Sequence, residues 1–288
     1  MDGKLRISRR TVTVAAALVG LVSLAIGAHA ALNKRSLDAA KAIATEQNSD
    51  VATKASRVAL VIGNGHYPDA SAPLAQPIND ARGLTAALRG KGFDVDVVED
   101  ATKDDMARAI GRLKAKIKRD TVVMLFFGGY GVQAGRESYM IPVDAAIWKE
   151  SDVRRQGVSI ESVLGMIKEK GARARIAVID ASRRNPYERR FRAFSHGLAP
   201  ISAPDNALIL SSATPGKVAD DSSGHNSVLV TELLNNINSR AAGAEALFTR
   251  TRIAVSRASD GQQVPAMSSS LKEDVHFAAD IAAAKAGG

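Results

Sequence analysis

From Arg57 onward, apolar runs of strand length alternate with stretches of helical period, and this constrains the fold more than any other feature of the 288 residues. Strands are expected at Val58–Gly63, Phe93–Val98, Thr121–Phe127, Arg175–Asp180 and Ala207–Ser211. Helical patterns fall between and after them, at Ile78–Arg89, Lys103–Lys116, Ser159–Lys170, Ser227–Ile237 and Ala246–Arg257. Such alternation is the sequence form of βαβ units. Several of the strand runs are apolar at nearly every position, as in strands covered on both faces. The expectation is an α/β fold with a mainly parallel sheet between helices. Aromatic residues make up only 4% of the chain, so its core must be aliphatic. Thr102 with Asp105 reads as a variant capping box, and Ser159 as a helix cap. Gln263–Met267 reads as a last strand, placed at an edge because Pro265 lacks a donor.

The residues before Arg57 read differently. Lys4, Arg6, Arg9 and Arg10 precede a stretch, Thr11–Ala30, with no formal charge at neutral pH. A basic start, an apolar centre and the small residues Ala28-His29-Ala30 before Ala31 are the pattern of an export signal. About 20 apolar residues also suffice to span a bilayer. Residues 1–31 are therefore expected to be a cleavable signal peptide or a retained anchor, and 32–56 a linker. Residues 57–277 are expected to form one domain, with 278–288 a C-terminal tail. The net charge of +9 is spread along the chain, without the clustered basic footprint of a nucleic-acid binder. The chain has no cysteine, which excludes disulfides, thiolate-held metals and a cysteine nucleophile.

Open parallel sheets place function beyond the carboxyl ends of their strands. Two turns fall there: Gly128-Gly129-Tyr130-Gly131 after the third strand, and Asp180-Ala181-Ser182-Arg183 after the fourth. Glycines at such a turn let the backbone approach a ligand or another chain segment. By themselves the two turns are equally compatible with ordinary βα connections.

In this order and on these strands, the turns resemble those of the caspase fold, in particular the bacterial metacaspase and orthocaspase branch of caspase-like peptidases. The likeness extends to Arg57–Tyr67 (RVALVIGNGHY), Pro77–Ala81 (PINDA), Gly92–Val95, Phe126–Gln133 (FFGGYGVQ), Ser138–Asp144, Val178–Pro186 (VIDASRRNP) and Ala213–Gly216 (ATPG). It implies a caspase-like three-layer αβα sandwich. It also implies a catalytic histidine where this chain has Tyr130, and a cysteine nucleophile where it has Ser182. Both members of the dyad are replaced. Serine is a poor nucleophile without a placed base, and a tyrosine with a reference pKa near 10 is a poor base at neutral pH. The resemblance thus implies a pseudoenzyme, with the Gly131 and Ser182 amides as the remnant of an oxyanion hole.

The family's preference for Arg or Lys at the cleaved position rests on two aspartates, which by motif are Asp80 and Asp180 here. The resemblance implies that they form a pocket for a basic side chain of a peptide or protein partner. Their plainer readings are a helix cap for Asp80 and a strand-end turn for Asp180. A displaced base, from His66, His196 or His225, would instead make Ser182 a serine hydrolase. Asp220-Asp221 and the scattered histidines show no metal-ligand spacing, and no metal or cofactor is expected. The basic run Arg183–Arg192 reads as a solvated loop. An anionic membrane surface becomes a partner for it if Thr11–Ala30 remains as an anchor. The expected location is the periplasm or the periplasmic face of the inner membrane, with the oligomeric state left open.

Overall fold

The structure, a computed structural model, describes residues 56–68, 73–187, 197–219, 224–237 and 243–277. All of these belong to the second of two units into which the chain divides, Ala55–Gly288. The elements run in the order β1 (Arg57–Gly63), α1 (Gln76–Gly90), β2 (Asp94–Glu99), α2 (Lys103–Lys116), β3 (Val122–Gly128), β4 (Gly131–Ala134) and β5 (Glu137–Met140). They continue with α3 (Glu150–Gln156), β6 (Val158–Ser159), α4 (Ile160–Glu169), β7 (Ala174–Asp180), β8 (Ala207–Ser211), α5 (Val228–Ile237), α6 (Ala244–Ala258) and β9 (Ala266–Ser269).

Six strands form one sheet in the order β2-β1-β3-β7-β8-β9, parallel except for β9. The strand period of two splits its side chains between two cores. Ala59, Val61, Met124, Phe126, Ile176 and Val178 pack on one face with Leu84 and Leu88 of α1, Leu233 of α5 and Phe248 of α6. Leu60, Ile62, Val123, Leu125, Ala177 and Ile179 pack on the other with Met106 and Leu113 of α2 and Leu164 of α4. The sheet therefore lies between two helical layers, the three-layer αβα sandwich expected from the sequence. Central strands β1, β3 and β7 are buried at nearly every residue, whereas edge strand β2 is largely half-buried or exposed.

Local signals set the helix starts. Thr102 caps α2, with the reciprocal Asp105 bond completing the capping box. Ser159 accepts the Ser162 amide at the start of α4. Helix α1 begins two residues before its apolar period, where Pro77 occupies the first turn without needing a donor.

Two parts of the fold depart from the sequence reading. A three-stranded antiparallel sheet, β4-β5-β6, and helix α3 occupy 131–159, where no elements were expected. Their strands are only two to four residues long, too short for a period to register. The last strand begins at Ala266, after Pro265. Gln263, instead of joining it, donates its backbone amide to the Ser259 hydroxyl and its side-chain amide to the Ser212 carbonyl. The strand does lie at the sheet edge. The 1–31 segment, nearly all of the 32–56 linker and the 278–288 tail lie outside the described residues.

Gly63 controls the seating of α1. A Cβ there would stand 2.4 Å from the Pro77 carbonyl oxygen and 2.8 Å from Ala81 Cβ. Gly63→Ala must push α1 off the sheet and is expected to destabilise the protein by about 1–3 kcal/mol. Urea denaturation of the two proteins measures this.

Candidate functional site

The register of the sheet assembles the site. Gly63, Gly128 and Asp180 are paired neighbours across β1, β3 and β7, forming one row at the carboxyl ends of the strands. This row projects to the α1 side, being two residues beyond Val61, Phe126 and Val178. Two of its three members have no side chain, so α1 descends close to the sheet at Pro77. The third is Asp180, 2% exposed.

The buried stripe of α1 runs Pro77, Asp80, Ala81, Leu84, Leu88. Asp80 is thus a carboxylate in an apolar stripe, fully buried in the fifth position of the helix rather than at its cap. Its Oδ1 accepts from Asn226 Nδ2 at 2.8 Å and from the Ser227 amide at 3.0 Å. Its Oδ2 is buried without a hydrogen-bond partner, and the same is true of Asp180 Oδ2. Burial first and the negative charge of Asp180 second push the Asp80 carboxyl up to about 7, against the hydrogen bonds from Asn226 and Ser227. The structure therefore brings together the two aspartates expected to share a site.

The turn after β3 is fixed by Tyr67. Its hydroxyl takes the Tyr130 amide at 3.0 Å and donates to the Ile141 carbonyl at 3.0 Å, while the Ile141 amide returns to the Tyr130 carbonyl. The two rings meet edge to face, 4.8 Å between centroids. Burial holds the Tyr67 phenol far above its usual range, so it serves as a neutral strut. Gly129 is obligatory, since φ is +154° and a Cβ would lie 2.6 Å from the Tyr67 hydroxyl. Tyr130, at the position of the family's base, packs against a small third core containing Val132, Tyr139, Ile141 and Tyr187.

Ser182 is 1% exposed, and its Oγ is buried with no hydrogen-bond partner. No described histidine therefore stands as its base. His66 is highly exposed, and its Nδ1 lies 2.5 Å from Asp100 Oδ2. His225 is exposed, and its carbonyl accepts from Asn79. His196 falls outside the described residues, as do Asp220, Asp221 and residues 188–192 of the basic run Arg183–Arg192. The two amides assigned to an oxyanion hole differ from that expectation. Gly131 N–H donates to the Ala181 carbonyl at 3.0 Å, and Ser182 N–H donates to Ser212 Oγ at 3.2 Å. The first bond joins the turns after β3 and β7, and the second joins the β7 turn to the segment after β8. Among the described residues no three His, Asp or Glu side chains gather as a metal site.

Residues 56–276 match the family model described as Caspase domain, which is most of the chain and includes every element above. The chain belongs to the caspase-domain family. It is 28% identical over 144 residues to the human protein named mucosa-associated lymphoid tissue lymphoma translocation protein 1, a match covering 50% of this chain and 17% of the human one. The mouse homologue is 29% identical over 133 residues, covering 46% of this chain and 16% of the mouse protein. The chain thus spans about a sixth of the length of these curated relatives. Among solved structures, protein GSU0716 of Geobacter sulfurreducens superposes with a TM-score of 0.56 at 17% identity. That match covers 78% of this chain and 99% of the other, a likeness of fold.

Several site residues carried no role in the sequence reading. Tyr67 lay within a family block, yet nothing in one sequence shows its hydroxyl reaching 63 residues ahead to the Tyr130 amide. Asn226 and Ser212 act across 146 and 30 residues respectively, and Ser227 looked only like the start of a helix. A polar pair directly before a helix, Asn226-Ser227, is the one local signal available.

The Asp80 environment sets a pH dependence. The folded protein retains a proton that the unfolded chain releases from its ordinary 3.8, so stability falls as pH rises from about 4 to about 7 and then levels. Asp80→Asn keeps an oxygen for Asn226 and Ser227 and removes the charge. It is expected to stabilise the protein by on the order of 2 kcal/mol at about pH 8 and by little at about pH 4. Thermal unfolding of both proteins across this range reads the difference, and a uniform shift at every pH would contradict the assignment.

Proposed function

We propose that the protein is a caspase-fold pseudopeptidase that binds basic peptide segments, or a partner presenting them, through the former substrate cleft without cutting. It acts as an exported or inner-membrane-tethered protein facing the periplasm. The observation that carries this reading is the contrast at one sheet edge. Among the described residues no base reaches Ser182 Oγ, while Asp80 and Asp180 each keep a buried oxygen with no partner.

Catalysis by this fold needs a nucleophile with a general base in reach. A serine whose hydroxyl contacts no base is protonated at neutral pH and reacts slowly. Tyr130 offers a phenol where an imidazole would titrate near neutrality. In serine proteases, losing triad members leaves only about 10³–10⁴ over water. The binding side of the machinery is different in kind. Two carboxylates suit a guanidinium or ammonium group, because a cation between them removes their mutual repulsion and supplies donors to the oxygens that lack them. A single charged hydrogen bond contributes about 1.5–3 kcal/mol, so affinity for a short peptide is expected to be weak, with neighbouring backbone contacts adding the rest.

The export part of the reading rests on Thr11–Ala30, which lies outside the described residues. No helix among the described residues is long and apolar enough to cross a membrane. Carbonate washing of membranes distinguishes an anchor, which stays in the pellet, from a released chain beginning at Ala31. A full-length soluble protein in the cytoplasm overturns export.

Chemistry is tested by restoring the dyad. Tyr130→His with Ser182→Cys is expected to create measurable cleavage after Arg or Lys in short peptides, while the natural protein gives no turnover above buffer. Either change alone recovers little, since thiol and base act as a unit. Turnover by the natural protein that Ser182→Ala abolishes, or labelling of Ser182 by a serine-directed phosphonate, overturns the pseudopeptidase reading. Binding is tested by calorimetry with acetyl-argininamide: salt-sensitive binding lost in Asp80→Asn and Asp180→Asn supports the pocket. Binding unchanged by both removes it.

A further inference from the structure

The segment after β8 returns to the site and is tied to it at several points. Ser212 Oγ accepts the Ser182 amide. Ala219 N–H donates to the Ser182 carbonyl at 2.6 Å. Both backbone groups of Ser182 are thus held by one excursion of the chain, Ser212–Ala219. Its middle is tied to a second segment, with Gly216 N–H donating to the Leu198 carbonyl at 3.2 Å. Gly197, at φ +72°, passes so near that a Cβ would lie 2.1 Å from the Lys217 carbonyl oxygen. Leu198 in turn covers Gly131, where a Cβ would meet Leu198 Cδ2 at 2.6 Å. The junction between the β3 and β7 turns is therefore roofed, which accounts for the 1% exposure of Ser182.

The two halves of this roof differ in how firmly they are held. Leu198 and Ile201 belong to the core beneath α2 and α4. Residues 215–217 are exposed, and within 215–219 only Ala219 is buried. A segment held by backbone hydrogen bonds with little apolar burial opens locally, far below the cost of global unfolding.

We propose that Gly216–Ala219 is a strap that closes the former substrate cleft over Ser182, and that its release is the step admitting a peptide. The inference rests on the binding function proposed above and adds its regulation. The unliganded protein is closed, and a ligand binds the minor open form. Its apparent affinity is reduced by the fraction of protein that is open, and changes that loosen the strap raise that affinity.

Because the chain contains no cysteine, Ser182→Cys places a single thiol under the strap. Its reaction with N-ethylmaleimide is expected to be roughly 100-fold slower in the folded protein than in urea, as for a site reached by local opening. Adding Ala219→Pro, which deletes the donor to the Ser182 carbonyl, is expected to speed labelling roughly five- to tenfold. Gly197→Ala, acting from the other side through the Lys217 contact, does the same. In the protein without substitutions, amide exchange at Ala219 reports the same opening, so the result does not depend on any variant folding. A thiol that reacts at nearly its unfolded rate, or strap variants that leave labelling unchanged, overturns the strap. Titration of the strap variants with acetyl-argininamide separates the two ideas. Faster labelling together with tighter peptide binding supports both. Faster labelling with no binding keeps the strap and removes the basic ligand.

Discussion

Everything at the carboxyl edge of this sheet depends on how near α1 can come to it. A helix resting on a sheet of Val, Ile and Phe stands off by the height of those side chains. Where β1 and β3 end, Gly63 and Gly128 are paired neighbours, and the gap they leave admits the Pro77 turn. One turn further along α1 is Asp80, carried by the same descent to where it feels the charge of Asp180. A larger residue in the row would lift the helix and separate the carboxylates. The close approach is steric in origin, yet its consequence is electrostatic. Two acids are buried, each with one carboxylate oxygen that no hydrogen bond satisfies.

The αβα sandwich was legible because long apolar runs such as Val122–Gly128 and amphipathic ones such as Lys103–Lys116 carry their period locally. The two turns that carry Tyr130 and Ser182 were legible because each directly follows a long apolar strand run. What the sequence concealed are contacts between distant segments. The Tyr67 hydroxyl reaches across to the β3 turn, Asn226 to Asp80, and Ala219 to the Ser182 carbonyl. None has a periodic or spacing signature, since each depends on two loops arriving at one point in space. The small β4-β5-β6 sheet escaped for a related reason. Its strands are short, and burial under Tyr139 and Ile141 holds it together rather than propensity.

On the proposed reading, the replaced dyad has not left its place empty. Tyr130 would fill the position of the base with an aromatic ring that meets Tyr67 edge to face and packs on a core of Val132, Ile141 and Tyr187. An imidazole is smaller and more polar, and buried without a proton acceptor it would carry a desolvation cost that the tyrosine ring avoids. The Gly131 and Ser182 amides likewise form bonds within the protein in place of waiting for an oxyanion. An active oxyanion hole keeps donors unsatisfied until the transition state arrives. Here the donors are satisfied at rest, and the turns gain order from it.

The carboxylate pair has not been relaxed in the same way. A buried acid whose oxygen has no partner lowers stability, and two beside one another lower it more. If packing alone governed this edge, asparagine at position 80 would hold Asn226 and the Ser227 amide equally well and would donate toward Asp180. Leucine would extend the apolar stripe of Ala81, Leu84 and Leu88. The fold instead keeps both acids, with Asp80 pushed up to about 7, where it gains or loses a proton near neutrality. Such a pair is poorly matched to its own surroundings and well matched to an incoming cation. A guanidinium would favour the ionised form of Asp80 and supply the missing donors. The destabilised resting state and the basic ligand are two sides of one electrostatic argument, and Gly63 and Gly128 allow both.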